Sequence, residues 1–202
     1  MDTRLASFKT DIKQYYQGLS EQEWDSFAES LIPVSYKKES IIFPIDKVCK
    51  QLLYISEGVV ASQFQEDSKQ VISRFFKSQS LASNIVSLLS KQTYYDQLIA
   101  ITAVKGLLIP EQVFMDHYLH AHGIGLYFRK KLLNNTIEAK HFISIKTIAE
   151  VKYQLKFLQE YYPEILLEVP WKHIADFMGV TPAWLSRTLK KKDIRNKLLD
   201  KD

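Results

Sequence analysis

The side chains best spaced for chemistry in this sequence are Ala183, Ser186, Arg187 and Lys190. The chemistry they could do is hydrogen bonding and charge recognition, not bond making. They belong to one stretch, Trp171 to Lys192, WKHIADFMGVTPAWLSRTLKKK, whose spacing predicts two short helices joined by a tight turn, a helix-turn-helix. Ile174, Ala175 and Met178 give the first helix, about Trp171 to Met178, its apolar stripe. Gly179 stands where that helix must end, because the left-handed region is least strained without a Cβ. Val180 plugs the turn. Thr181 is a good N-cap, and Pro182 fits the first helical position, where its missing N–H costs nothing. Leu185 and Leu189, four residues apart, face inward, which leaves the four named side chains pointing away. The small Ala175 lets the helices approach, and the spacing Ala175, Gly179, Leu185 is what a DNA-reading helix pair requires. An ordinary helical hairpin with a solvated basic end would share that spacing.

Charge distribution favours the first reading. The chain carries 27 Lys and Arg against 23 Asp and Glu, a net +4. Residues 171–202 hold eight of the basic residues and four of the acidic ones, and residues 1–170 are balanced at 19 each. All the net positive charge therefore falls on the stretch that spacing nominates, as phosphate neutralisation demands.

Other chemistries find little support. There is no P-loop, G-x-G-x-x-G, G-x-S-x-G or HExxH pattern, so no enzyme is expected. His117 and His120 share a helix face at i, i+3, with Asp116 and His122 near by, a spacing that could bind a transition metal. They fall where one helix gives way to another, so no metal is expected. The single Cys49 excludes an internal disulfide and any cysteine-based cluster within one chain, and fits a reducing cytoplasm. The opening MDTRLASFKTDIKQYY is charged throughout, unlike a signal peptide. No uncharged stretch approaches the roughly 18–20 apolar residues of a membrane span. A soluble cytoplasmic protein with no membrane partner is expected.

The elements that must position these groups read as α+β. With 46% hydrophobic residues in 202, and only six glycines and six prolines, the chain can bury one large core or two small ones. Residues 5–17 carry Leu5, Phe8, Ile12 and Tyr15 or Tyr16 on one helix face. Ser20 and Glu23 form a capping box ahead of a stripe of Trp24, Phe27, Ala28 and Leu31, which Pro33 ends. From Val34 the period becomes two: strands at 40–43, 51–55, 58–64, 71–76, 97–104 and 107–109, with turns that include Ser56 to Gly58 and Lys105-Gly106. Evenly spaced short strands predict an antiparallel roll or sandwich, with a short helix inside it between Gln79 and Thr93. A short helix follows Pro110, then a long one from about His122 to Phe142. Leu119, Leu126, Leu133 and Ile137 form an apolar seam there, which would suit a dimer helix or packing within its own domain. A further helix spans Thr147 to Tyr161 and ends at Tyr162-Pro163.

This order resembles the Crp/Fnr family of bacterial transcription regulators over nearly the full length. The match is most specific in EYYPEILLEVPWKHIADFMGVTPAWLSRTLKK, residues 160–191, with YISEGVV and EDSKQVISRFF similar to the glycine turn and hairpin of the family's roll. The resemblance implies an N-terminal antiparallel β-roll of the cyclic-nucleotide-binding type with flanking helices and a long dimerisation helix, together residues 1–145. A helix-turn-helix DNA-binding domain, residues 146–202, would follow. It implies a cytoplasmic homodimer on double-stranded DNA, with RNA polymerase as a further partner, placing two recognition helices roughly 34 Å apart in successive major grooves. By position, Pro182, Ala183, Ser186 and Arg187 would face base edges, Arg187 bidentate to a guanine. Thr181, Lys190 and Lys191 would grip phosphates. Pro182 and Ala183 replace the polar pair that some members use on bases, so the operator is not carried over. Trp184 would be buried against the helix pair or rest against the DNA backbone, and burial is the expectation.

The roll departs further. Members that bind cyclic nucleotides carry a Gly-Glu pair and an Arg followed by Ser or Thr, whereas the aligned positions here are Ala82-Ser83 and Tyr95-Asp96. No arginine lies between Arg74 and Arg129, which removes the phosphate's bidentate partner, and Asp96 would repel it. This argues against cyclic AMP as a ligand. The expected pocket residues are Ala82, Ser83, Tyr94, Tyr95 and Asp96, around an unknown small-molecule effector or filled by their own side chains. No cofactor is expected.

Overall fold

Capping and alternation account for most of the elements in the computed structural model, which describes residues 2–66, 69–120, 123–148 and 150–190. Helix α1 (Thr3–Tyr15) is capped by Asp2, whose carboxylate accepts from Arg4 N at 2.9 Å. Helix α2 (Glu21–Ala28) is capped by Ser20, whose Oγ accepts from Glu23 N at 3.1 Å. Among the described residues eight strands then run β1 (Ile32–Tyr36), β2 (Ile41–Phe43), β3 (Gln51–Glu57), β4 (Val60–Glu66), β5 (Lys69–Phe76), β6 (Leu81–Ala82), β7 (Asp96–Ala100) and β8 (Val104–Pro110). They form two four-stranded antiparallel sheets, in the orders β1-β8-β3-β6 and β2-β7-β4-β5. Helix α3 (Ile85–Ser90) lies inside the roll, as expected. Helices α4 (Glu111–Tyr118), α5 (Ile124–Thr147), α6 (Val151–Tyr161), α7 (Pro163–Glu168), α8 (Trp171–Met178) and α9 (Pro182–Lys190) follow.

Five sequence expectations change. Pro33 does not end α2 but lies inside β1, an edge strand, where a missing N–H is tolerated. The run 97–104 is two strands in different sheets, the chain passing from one to the other at 101–103, and Lys105 and Gly106 lie within β8. Where the chain passes between the sheets it is tied to a neighbouring turn: Val59 N donates to Thr102 Oγ1 at 2.9 Å. Pro163 begins α7 rather than only ending α6, because its ring suits a first helical turn. Leu119 caps the end of α4, so it is not on the long helix with the rest of the seam.

Two cores hold the elements together. The first fills the roll and receives α1, α2, α4 and the front of α5. Phe8 stacks on Tyr54 at 4.1 Å, and Tyr127 Oη donates to the buried Asp11 carboxylate at 2.8 Å. Lys131 Nζ pairs with that carboxylate, also at 2.8 Å, tying α5 to α1. The second core lies on the outer face of the β2-β7-β4-β5 sheet, where Ala61, Ile72, Phe75 and Ile99 meet Phe142 and the buried faces of α6 to α9. It extends across the 145/146 division read from the sequence. Strand alternation produces both cores: on β7, Leu98 and Ala100 face the roll interior and Ile99 faces the helices.

Candidate nucleic-acid interface

Helices α8 and α9 are joined as their sequence dictates. Gly179 closes α8 at φ +69°, ψ +27°, and Val180 N returns to Ala175 O at 3.0 Å. Thr181 Oγ1 accepts from Trp184 N at 3.2 Å, capping α9. Ile174, Ala175, Phe177, Met178 and Leu185 are buried between the pair and the second core. Thr181, Pro182, Ala183, Ser186 and Arg187 are all exposed, and Arg187 Nε donates to Ala183 O at 3.3 Å. Five residues predicted from spacing or by resemblance thus come together around the first turns of one helix. Trp184 is 42% exposed, not buried as expected, because Leu185 takes the inward position at the crossing. Lys190 ends α9. Its side chain, that of Leu189, and Lys191 with the basic residues after it lie outside the described residues.

The pair is held on the roll from several sides. Phe177 packs against Phe75 of β5 and Phe142 of α5, with ring centres 5.4 and 5.6 Å apart. Lys146 Nζ on α5 donates to Ile72 O of β5 at 2.8 Å and to Phe177 O of α8 at 3.0 Å, joining three elements. Lys172 pairs with Glu39 at 2.7 Å, and Lys77 with Glu164 of α7. His173 is 4% exposed, and neither ring nitrogen makes a hydrogen bond. Glu39 and Asp176 each stand 3.7 Å from it. Burial holds its pKa below the ordinary value and pushes that of Asp176 up.

Helix α5 has one buried and one open face. Tyr127, Phe128, Lys131, Phe142 and Ile145 turn inward, while Leu133 and Ile137 are 63% and 49% exposed on the opposite side. Leu126 is half-buried in line with them. His117 is half-buried with its ring edge-on to Phe27 at 5.0 Å. His120 offers its backbone carbonyl to Arg129, and His122 lies outside the described residues. Among the described residues no group of three or more His, Cys, Asp or Glu could hold a metal, and no helix is long and apolar enough to cross a membrane.

The residues expected to form a pocket in the roll separate. Ala82 is buried in β6, pairing with Leu53. Ser83 lines a cavity of about 310 Å³ between the roll and α5, and its hydroxyl donates to Gln51 O at 3.2 Å. Tyr94 and Tyr95 are not among the residues that line it; their rings lie 4.0 Å apart and their hydroxyls 2.6 Å apart, with Tyr95 62% exposed. Asp96 accepts from Ser62 Oγ at 2.5 Å and Asn84 Nδ2 at 2.6 Å, and does not line the cavity either. The cavity's charged wall is Arg74 of β5, which the sequence reading passed over. The signal was available: from Phe76, which faces the interior, a period of two places Arg74 on the same side.

No family model matches the chain, and no curated protein matches it in sequence. Solved structures match its fold. FixK2 from Bradyrhizobium japonicum superposes with a TM-score of 0.66 at 17% identity, over 82% of this chain and 86% of that one. A protein from Eubacterium rectale assigned to the Crp/Fnr family of transcriptional regulators gives 0.65 at 15%, over 90% and 88%. CLP of Xanthomonas campestris, a c-di-GMP-responsive global regulator, gives 0.59 at 16%, over 85% and 91%. The roll with its helices has the cyclic-nucleotide-binding-domain fold, and its structural neighbours include regulators of the Crp/Fnr type.

Proposed function

We propose that this protein is a homodimeric, sequence-specific DNA-binding transcription regulator of the Crp/Fnr type, with α8 and α9 as its helix-turn-helix. The observation that carries the reading is the exposed face of α9. Its apolar side is buried through Leu185, its start is capped by Thr181, and Pro182, Ala183, Ser186 and Arg187 are left open to solvent. A helix anchored on one side and open at its first turns is what entry into a major groove needs. The charge balance of residues 171–202 supports it, because lysines after the recognition helix reach phosphates and set register. In this reading Thr181, Lys190 and Lys191 hold the backbone, Arg187 reads a base, and Leu126, Leu133 and Ile137 close a dimer across α5.

Selection of bound sequences from a random duplex pool, with the wild type and Arg187→Ala in parallel, tests this. The expected result is a palindromic consensus that loses definition at one position per half-site in the variant. The second reading, a ligand-sensing module that retains the helix pair as a scaffold, draws on the packing of α8 against β5 through Phe75 and Phe177. Under it no sequence would be enriched, and DNA affinity would lack a steep dependence on salt.

A further inference from the structure

We propose that His173 makes the docking of α8 and α9 on the roll sensitive to acid: a proton on its imidazole releases the helix pair from the sheet. Geometry carries the proposal. The ring is buried at the seam where α8 meets the roll, and neither of its nitrogens makes a hydrogen bond. The two carboxylates beside it come from opposite sides of that seam. Glu39 Oε1, from the turn between β1 and β2, stands 3.7 Å from Nε2. Asp176 Oδ2, from α8 itself, stands 3.7 Å from Nδ1. Neither is within hydrogen-bond range. The ring therefore fits its slot as a neutral group, and a charge there would lack both water and a partner.

The groups around the ring do not make a place for the proton. Lys172 of α8 and Lys38 of the β1–β2 turn oppose it, and Asp176 and Glu39 favour it. Glu39 already holds Lys172 at 2.7 Å, and burial makes Asp176 a weaker acid. The backbone that carries the Glu39 carboxylate is fixed, with φ +67° and its N–H tied to Ala100 O at 2.6 Å. From β5 and α9, the apolar Ile72, Phe75 and Leu185 share the core with α8. From α5, Lys146 reaches the Phe177 carbonyl, one turn further along α8. Burial, the largest effect, holds the docked imidazole below its ordinary pKa. An undocked imidazole returns to about 6.5, so docking is at full strength above that pH and weakens as pH falls below it. Once off the sheet, α8 with its eight residues is too short to persist in water.

The test is hydrogen–deuterium exchange on the full chain without DNA, at about pH 7.5 and about pH 5.5, with rates corrected for intrinsic exchange. The α8 amides should be less protected than those of β3 and β8 at both values, because the pair opens without the roll. Their protection should fall by about threefold to about tenfold at the lower pH, the upper value being the limit for one proton taken up near pH 6.5. His173→Gln, or His173→Phe if that variant unfolds, should remove the fall. Asp176→Asn should keep it, which separates the ring from the neighbouring carboxylate. Equal α8 protection at the two pH values, or protection that matches β3 and β8, overturns the proposal. So does a fall that persists in a folded His173 variant or disappears in Asp176→Asn. Because no DNA enters the assay, none of these outcomes bears on the DNA-binding reading.

Discussion

Arg187 and His173 sit on adjoining helices and meet opposite environments, which sets what each can do. Arg187 is exposed and its guanidinium already returns to Ala183 O, so it is held near the helix start where a base edge would lie. Arg187→Ala should cost about 1–3 kcal/mol on the cognate duplex and much less on a random one. Fluorescence anisotropy on both duplexes checks this, and equal losses would remove Arg187 from base reading. His173 is instead buried, with its pKa lowered from 6.5 first by burial and then by Lys172 and Lys38, against Asp176 and Glu39. The unfolded imidazole therefore takes up a proton where the folded one does not. The stability it contributes is present above about pH 6.5 and is lost as pH falls below that value. His117, lowered by burial, acts in the same direction. Asp176 is raised from 3.8 by burial, so its stability term has the opposite sign and acts from the ordinary carboxylate range upward. Urea midpoints at about pH 7.5 and about pH 5.5 should separate in the wild type and draw together in His173→Gln. An unchanged separation would assign the effect elsewhere.

At the scale of elements, two turns determine whether the strands and helices meet. Gly58 has φ +94°, and a Cβ there would lie 2.2 Å from Ala103 O, across the neighbouring turn. Gly179 has φ +69°, but a Cβ there would meet nothing within 4 Å. Gly179→Ala should therefore cost only left-handed strain, about 1 kcal/mol. Gly58→Ala adds a clash that both turns must relieve and should cost about 2–4 kcal/mol. Urea unfolding of the two variants gives the order directly, and the reverse order would mean that the β3–β4 turn yields easily. Strand β5 has a further consequence for the elements around it. Arg74 reaches the cavity from one face, while Phe75 and the Ile72 carbonyl contact α8 and Lys146 from the other. One short strand thus touches both the cavity and the helix pair.

For the whole molecule, the open question is what covers α5. Leu133 and Ile137 are exposed on the side away from the roll, and a helix with one buried face and one apolar open face is suited to pairing with its copy. The double substitution Leu133→Glu, Ile137→Glu should shift the protein from dimer to monomer in analytical ultracentrifugation. Surface changes of this kind alter monomer stability by only about 0.5 kcal/mol, so the unfolding midpoint of the monomer should hold. A dimer that persists would place the interface elsewhere. On the proposed function, affinity for a palindromic site should fall together with the dimer, because each protomer would supply one recognition helix.

What the sequence determined by itself was local. The bounds of α8, the left-handed Gly179, the Thr181 and Ser20 caps, the helix inside the roll and most strands were legible because each signal lies within a few residues of the element it forms. The α+β order and the exposure of Ala183, Ser186 and Arg187 followed from the same signals. Only the tertiary structure decided how separated segments meet. It split 97–104 through the contact with the Gly58 turn, placed Pro33 on an edge strand and paired the two-residue β6 with β3. It also exposed Trp184 by giving the crossing to Leu185, and brought Arg74 into a cavity that Tyr94, Tyr95 and Asp96 do not line. Pairing partners and burial are set by contacts between residues far apart in the chain, and a single sequence carries no record of which of its many apolar runs will face one another.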